Sequence, residues 1–172
     1  MPELLVGTSG YNYRHWGQGV FYPPGLSSHR WLEYYAQHFG AVELNVTFYR
    51  LPEPKTFAGW HRRTPNDFRF VVKGSRLITH VRRLKGVEDA LAVFFQNASA
   101  LGDKLSCALW QLPPRFPQDV GLLAQFIRQL PRSCRHSIEF RDESWLTEEV
   151  YELLREAGIS LCLADRPLNV AP

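Results

Sequence analysis

AVELNVTFYRLP, residues 41–52, carries the reading on which the fold turns. Val42, Leu44, Val46 and Phe48 alternate with Glu43, Asn45 and Thr47, the two-residue period of a β-strand with one apolar and one polar face. Taken alone, the pattern predicts a strand over 42–48 with one wet side. Its surroundings change that. Amphipathic helical patterns flank it, and parallel strands joined through helices are covered on both faces. Glu43 then points inward, where a carboxylate needs a partner, water or a chemical role.

Working outward, short apolar runs alternate with helical patterns along the whole chain. Strands are predicted at 4–8, 42–48, 68–73, 105–111, 137–141 and 160–164. A first helix capped by Ser27 or Ser28 would bury Trp31, Tyr35 and Phe39 and close at Gly40. A short second one starts at Pro54. The third places Val87, Leu91, Phe94, Phe95 and Ala98 on one face, the fourth Val120, Leu123, Phe126, Ile127 and Leu130. A fifth follows Thr147 and buries Val150, Leu153, Leu154 and Ala157.

Such alternation means parallel strands with right-handed crossovers. GTSG after the first strand is neither a dinucleotide-binding nor a nucleophile-elbow motif, which favours a β/α barrel over an open nucleotide-binding sheet. The expected fold is α/β, a TIM-type barrel that is incomplete, with six strands and five helices of an eight-unit design. Eight units typically need ~250 residues, and there are 172 here. Residues 1–172 are therefore expected to form a single β/α-barrel domain lacking the last two units. The alternative is an open six-stranded sheet prone to self-association through its edges.

Bulk properties restrict function only loosely. The 45% hydrophobic and 13% aromatic content is that of a globular protein, and a net charge of +3 is a weak pointer to anionic partners. Cys107, Cys134 and Cys162 form no paired motif; Cys107 and Cys162 lie in apolar strand-like runs and read as small core residues, a usage that suits a reducing cytoplasm. No secretory pattern opens the chain and no run approaches the ~18 apolar residues of a membrane span, so a cytoplasmic location without membrane contact is expected.

The polar residues that break the strands cluster at C-terminal ends: Glu43, Asn45 and Thr47, then Lys73, Gln111, Ser137, Glu139 and Arg141, and finally Asp165. That is the end at which β/α barrels carry their active sites. A structural ion network would use the same residues. Two loops lie at this end. Residues 7–25 hold Tyr11, Tyr13, Trp16, Phe21 and Tyr22 beside Arg14 and His15, suited to stacking on a ligand or to packing as a lid. Residues 73–86 carry Lys73, Arg76, His80, Arg82, Arg83 and Lys85 without an acid, suited to phosphate or to solvent.

GTSGY (7–11), VELNVTFYRLP (42–52), RTPNDFRFVVK (63–73), ITH (78–80), QLPPRF (111–116) and EFRDESW (139–145) together resemble the YecE-like family, DUF72, along essentially the whole chain. The resemblance implies a TIM-type barrel. It also implies that Glu43, Asn45, Thr47, Tyr49, Lys73, Thr79, His80, Gln111, Glu139, Arg141 and Asp165 belong to shared motifs. It implies no activity. Members of the family continue through two further strands.

The leading functional expectation is an enzyme acting on a phosphorylated or nucleic-acid-derived substrate by carboxylate acid/base chemistry. Glu43, Lys73, Glu139 and Asp165 are the candidate catalytic residues. Ser9, Tyr11, Asn45, Thr47, Tyr49, His80, Gln111, Arg141 and Trp145 are the candidate substrate-binding residues. No cofactor is expected. A divalent-metal variant would use Glu43, Glu139, Asp165 and His80, with Lys73 competing for the carboxylates. Glycoside hydrolysis by Glu43 and Glu139 is one alternative, against which a direct Glu43–Lys73 ion pair would count. A non-enzymatic binder of nucleic acid or an anionic metabolite is a second, and a degenerate barrel without activity a third.

Overall fold

The computed structural model describes residues 4–165. Six parallel strands pair strictly in chain order: β1 (Gly7–Ser9), β2 (Ala41–Leu44), β3 (Arg69–Lys73), β4 (Leu105–Gln111), β5 (Arg135–Glu139) and β6 (Ser160–Leu161). Helices α1 (Trp31–Tyr35), α2 (Val46–Tyr49), α3 (Pro54–Arg62), α4 (Glu88–Ala98), α5 (Val120–Gln129) and α6 (Glu148–Ala157) lie between them. The result is an α/β fold with the strand order of a TIM-type barrel, carried through six units. Among the described residues β1 and β6 each have one paired neighbour, so the sheet is open there.

One face of each of the strands β2 to β5 is sealed by helices. Val42, Leu44, Phe70, Val72, Ala108, Trp110 and Ile138 are all buried on that side. Each large side chain so covered contributes roughly 1.5–3 kcal/mol, which makes this face the principal core. α4 supplies Leu91, Phe94 and Ala98 to it, and α5 supplies Leu122, Leu123 and Phe126. Asp119 caps α5 by accepting from the Leu122 amide at 2.9 Å. The aromatics of the 7–25 loop mostly close on α1: Tyr22 stacks on Trp31 with centroids 4.4 Å apart, and Phe21 packs on Tyr34 and Phe39.

Several boundaries differ from the sequence reading, and one difference matters. The strand expected over 42–48 stops at Leu44, and Asn45 turns into the right-handed helical region (φ −71°, ψ −22°) to start the single turn α2. The hydroxyl of Thr47 explains the stop. It lies 2.6 Å from the carbonyl oxygens of both Leu44 and Lys73, tying the ends of β2 and β3 together in place of further ladder bonds. α2 is thus a sixth helix that periodicity did not anticipate. The fifth strand is displaced by two residues to 135–139, leaving Arg141 beyond its end, and pairing in the sixth ends at Leu161 rather than at 164. The first strand pairs over 7–9 rather than 4–8. Cys107 and Cys162, expected in the core, are only partly buried because both lie near the open inner face.

Candidate active site

Five consecutive strands each bring a polar residue to their C-terminal end on the face away from the helices. These are Ser9, last of β1; Glu43, next to last of β2; Lys73, last of β3; Gln111, last of β4; and Glu139, last of β5. Register aligns Ser9 with Glu43 and Gln111 with Glu139 as direct neighbours. With Tyr13, Asn45, Phe48, Tyr49, Arg141, Ala164 and Asp165 they line a hollow of about 620 Å³. That volume is within the usual ~300–1,000 Å³ of small-molecule sites.

Two carboxylate–cation pairs stand in this hollow and are held differently. Glu43 Oε1 accepts from the Ser9 hydroxyl at 2.8 Å, which in turn accepts from the Asn45 amide at 2.8 Å. The Lys73 ammonium lies 3.7 Å from the same oxygen, beyond hydrogen-bond length, with the Phe48 ring 5.4 Å below it. Among the described residues no protein donor engages Glu43 Oε2. Glu139 is bound at both oxygens: Oε1 accepts from Arg141 Nε, and Oε2 from the Gln111 amide at 2.9 Å. Only 5% of Glu139 is exposed, so this pair is a nearly buried ion pair with its hydrogen bonds made. Arg141 uses Nε alone for that contact, and among the described residues its two terminal nitrogens donate to no protein group.

Nine sequence-derived candidates therefore meet in the hollow: Ser9, Glu43, Asn45, Tyr49, Lys73, Gln111, Glu139, Arg141 and Asp165. Four do not. Trp145 is fully buried, stacks on Phe140 and donates its indole N–H to the Phe116 carbonyl at 2.5 Å, so it packs the core instead of touching ligand. Thr47 is also fully buried and serves the strand brace described above. His80 sits behind Phe48, edge-on at 4.9 Å, with Nδ1 2.9 Å from the Thr79 hydroxyl. Burial, followed by the charges of Arg76, Lys73, Arg141 and Arg83, pushes its imidazole down to about 4. It is neutral near pH 7 and brings no positive charge to an anion. Tyr11 lines an adjoining cleft, where burial raises its phenol.

Part of the basic loop is spent on structure. Leu77–Val81 form one π-helical turn, Arg82 donates to the Gly86 carbonyl at 2.6 Å, and Arg83 lies over the Phe116 ring while donating to the Arg115 carbonyl at 2.9 Å. Of its cations only Lys73 reaches the hollow. Of the four residues of the divalent-metal variant, Glu43, Glu139 and Asp165 line the hollow. His80 is outside the hollow, Glu43 and Glu139 each face a cation, and no three acid, His or Cys side chains among the described residues are grouped to hold a metal ion.

Tyr13 and Phe48 line the hollow without having been singled out. Phe48 was hidden by the strand alternation, which put it on the face opposite Glu43. Tyr13 was one ring among many in its loop. Its position depends on Gly10, whose amide donates to the Glu43 carbonyl at 2.8 Å with φ at +90°. A side chain at Gly10 would be strained there, and its Cβ would lie 2.6 Å from the Tyr13 hydroxyl.

Known proteins supply the wider frame. A family model described as "Protein of unknown function DUF72" matches residues 5–172. The chain is 31% identical over 163 residues to the UPF0759 protein YecE of Escherichia coli strain K12, covering 91% of this chain and 59% of that protein. It is 29% identical over 163 residues to the UPF0759 protein YunF of Bacillus subtilis strain 168, covering 87% and 54%. A crystal structure of a DUF72 family protein from Thermotoga maritima MSB8 matches with a TM-score of 0.79 at 35% identity, over 91% of this chain and 63% of that one. Another, from Enterococcus faecalis V583, has a TM-score of 0.76 at 22% identity, a likeness of fold alone, over 96% of this chain and 63% of that one. The chain spans less than two thirds of the length of these relatives. No helix among the described residues is long and apolar enough to cross a membrane.

Proposed function

The chain belongs to the DUF72 family, and from the chemistry of its hollow we propose an enzyme that moves a proton on a small substrate bearing one acidic group, such as a phosphomonoester or a nucleic-acid-derived monophosphate. Glu43 is the general base. Its Oε2 is free of protein donors among the described residues, while Ser9 and Asn45 hold the opposite oxygen in place. Lys73, 3.7 Å from Glu43, stands where negative charge left on the substrate would be stabilised. The terminal nitrogens of Arg141 receive the acidic group as a planar fork. Glu139 and Gln111 are positioning residues that orient that fork.

Charge balance narrows the substrate. Lys73 and Arg141 oppose Glu43 and Glu139 one for one, and Asp165 at the exposed rim adds a negative charge that solvent screens. Such a wall suits one acidic group better than a polyphosphate. Glycoside cleavage by Glu43 and Glu139 is disfavoured because both oxygens of Glu139 are already engaged.

One observation carries the reading: a carboxylate with one oxygen and a guanidinium with two nitrogens that engage no protein group among the described residues line the same hollow. The test is to incubate the protein with a pool of phosphorylated and nucleoside-derived metabolites and follow consumption by mass spectrometry. Glu43→Gln should slow the consumed compound by roughly 10²–10⁴-fold, the usual worth of a general base. Equal consumption by the variant, or none by the parent protein, would refute the assignment.

A further inference from the structure

Glu43 stands on a partition between two spaces. Besides the hollow it lines a neighbouring cleft of about 310 Å³, and Tyr13 and Asn45 are shared between the two in the same way. The cleft differs sharply in chemistry. It is lined by Tyr11, Tyr13 and Trp60 with Leu44 and Val46, and Asn12 and Asn45 are its uncharged polar residues. Among the described residues it is lined, apart from the shared Glu43, by no acid and no cation, whereas Lys73, Arg141, Glu139 and Asp165 all belong to the hollow.

Charge is therefore segregated between two adjoining spaces that share Tyr13, Glu43 and Asn45. A molecule placed across the partition would have its charged end in the hollow, its reacting atoms beside Glu43, and an uncharged end among three aromatic side chains. Rings presented with two amide groups suit a flat group whose edge carries hydrogen-bonding atoms. Trp60 and Tyr11 are largely buried, so this wall is formed before any ligand arrives and its side chains lose little freedom on binding.

We propose that the Tyr11–Tyr13–Trp60 cleft is a second subsite, taking an uncharged planar aromatic or heteroaromatic ring of the substrate whose acidic end occupies the hollow. The proposal rests on the reading of the hollow as an active site and adds the substrate's other half. Tyr11, of the sequence-derived candidates, thereby acquires a role as a ring-binding residue distinct from proton transfer.

The test compares benzyl alcohol with cyclohexylmethanol, neutral probes that differ in the flatness of the ring. Binding is followed in the full chain by two-dimensional NMR, with the Trp60 indole N–H as reporter. Benzyl alcohol is expected to bind about fivefold tighter than the saturated probe, the scale of specific aromatic contacts, and to shift the Trp60 signal. Tyr11→Leu should weaken it about fivefold and Tyr11→Phe should not. Equal binding of both probes, or shifts that bypass Trp60, would overturn the subsite, and both are read in the unmutated protein. Ring binding with undiminished turnover in Glu43→Gln would sink the general base alone, and lost turnover without ring binding would sink the subsite alone.

Discussion

Removing Arg141 tests whether the Glu139 pair is held as described. The Glu139 side chain is 7% exposed and has two donors, Arg141 Nε and the Gln111 amide at 2.9 Å. Arg141→Met preserves much of the volume and leaves a largely buried carboxylate with one neutral donor. Breaking a buried ion pair by deleting one partner costs about 3–5 kcal/mol, chiefly because the survivor stays desolvated. The adjoining hollow admits water, which offsets part of that penalty and places the expectation near the low end, about 3 kcal/mol. Glu139→Gln in the same chain removes the stranded charge and keeps the contact to Gln111. The double variant should therefore recover about 2 kcal/mol relative to Arg141→Met. Urea unfolding reads this directly, provided the slope with denaturant is unchanged so that midpoint shifts report stability. A coupling below about 0.5 kcal/mol between the two substitutions would refute the reasoning, because it would mean that Glu139 finds full hydration without its partner.

Other consequences follow from single contacts. Thr47→Val removes the hydroxyl that joins the Leu44 and Lys73 carbonyls and should cost about 1–2 kcal/mol in a denaturant melt. Gly74→Ala would set a Cβ 2.3 Å from the Trp110 ring, so a loss of at least ~1–3 kcal/mol is expected in the same assay. His136 is buried, accepts from the Trp110 indole at 3.2 Å and donates to the Pro131 carbonyl at 2.9 Å, and burial lowers its imidazole below the ordinary range. His80 is lowered in the same direction, to about 4. The unfolded chain takes up protons at both near pH ~6.5 while the native chain does not, so stability should fall as pH drops below that value. His136→Gln, which can keep both hydrogen bonds, should make the decline shallower; an unchanged slope in unfolding experiments across pH 7 to 5 would count against a neutral buried imidazole.

The arrangement of the site explains which of its residues were legible in the sequence. Glu43, Lys73, Gln111 and Glu139 stand out because each interrupts an apolar strand near its end, and a parallel strand covered on both sides has no other reason to carry them. Their convergence then follows from topology alone. Trp145 and Thr47 misled because shared motifs do not separate residues kept for packing from residues kept for chemistry. His80 misled because a histidine among arginines reads as a cation, whereas burial and those same arginines keep it neutral.

The amino-acid order by itself determined the α/β class, the parallel order of six units and the end of the sheet at which polar groups collect, since each depends on hydrophobic periodicity summed over many residues. Only the tertiary structure decided which rings meet those groups. VTFY satisfies both periods, and a single residue, Asn45, chooses between them by entering the helical region. From there each side chain turns about 100° instead of ~180° from the last, which brings Phe48 and Tyr49 round to the hollow and sends Thr47 into the brace between two strands. The turn so begun is held by the Thr47 hydroxyl reaching a carbonyl on β3, twenty-six positions away in sequence, and no local pattern contains that contact.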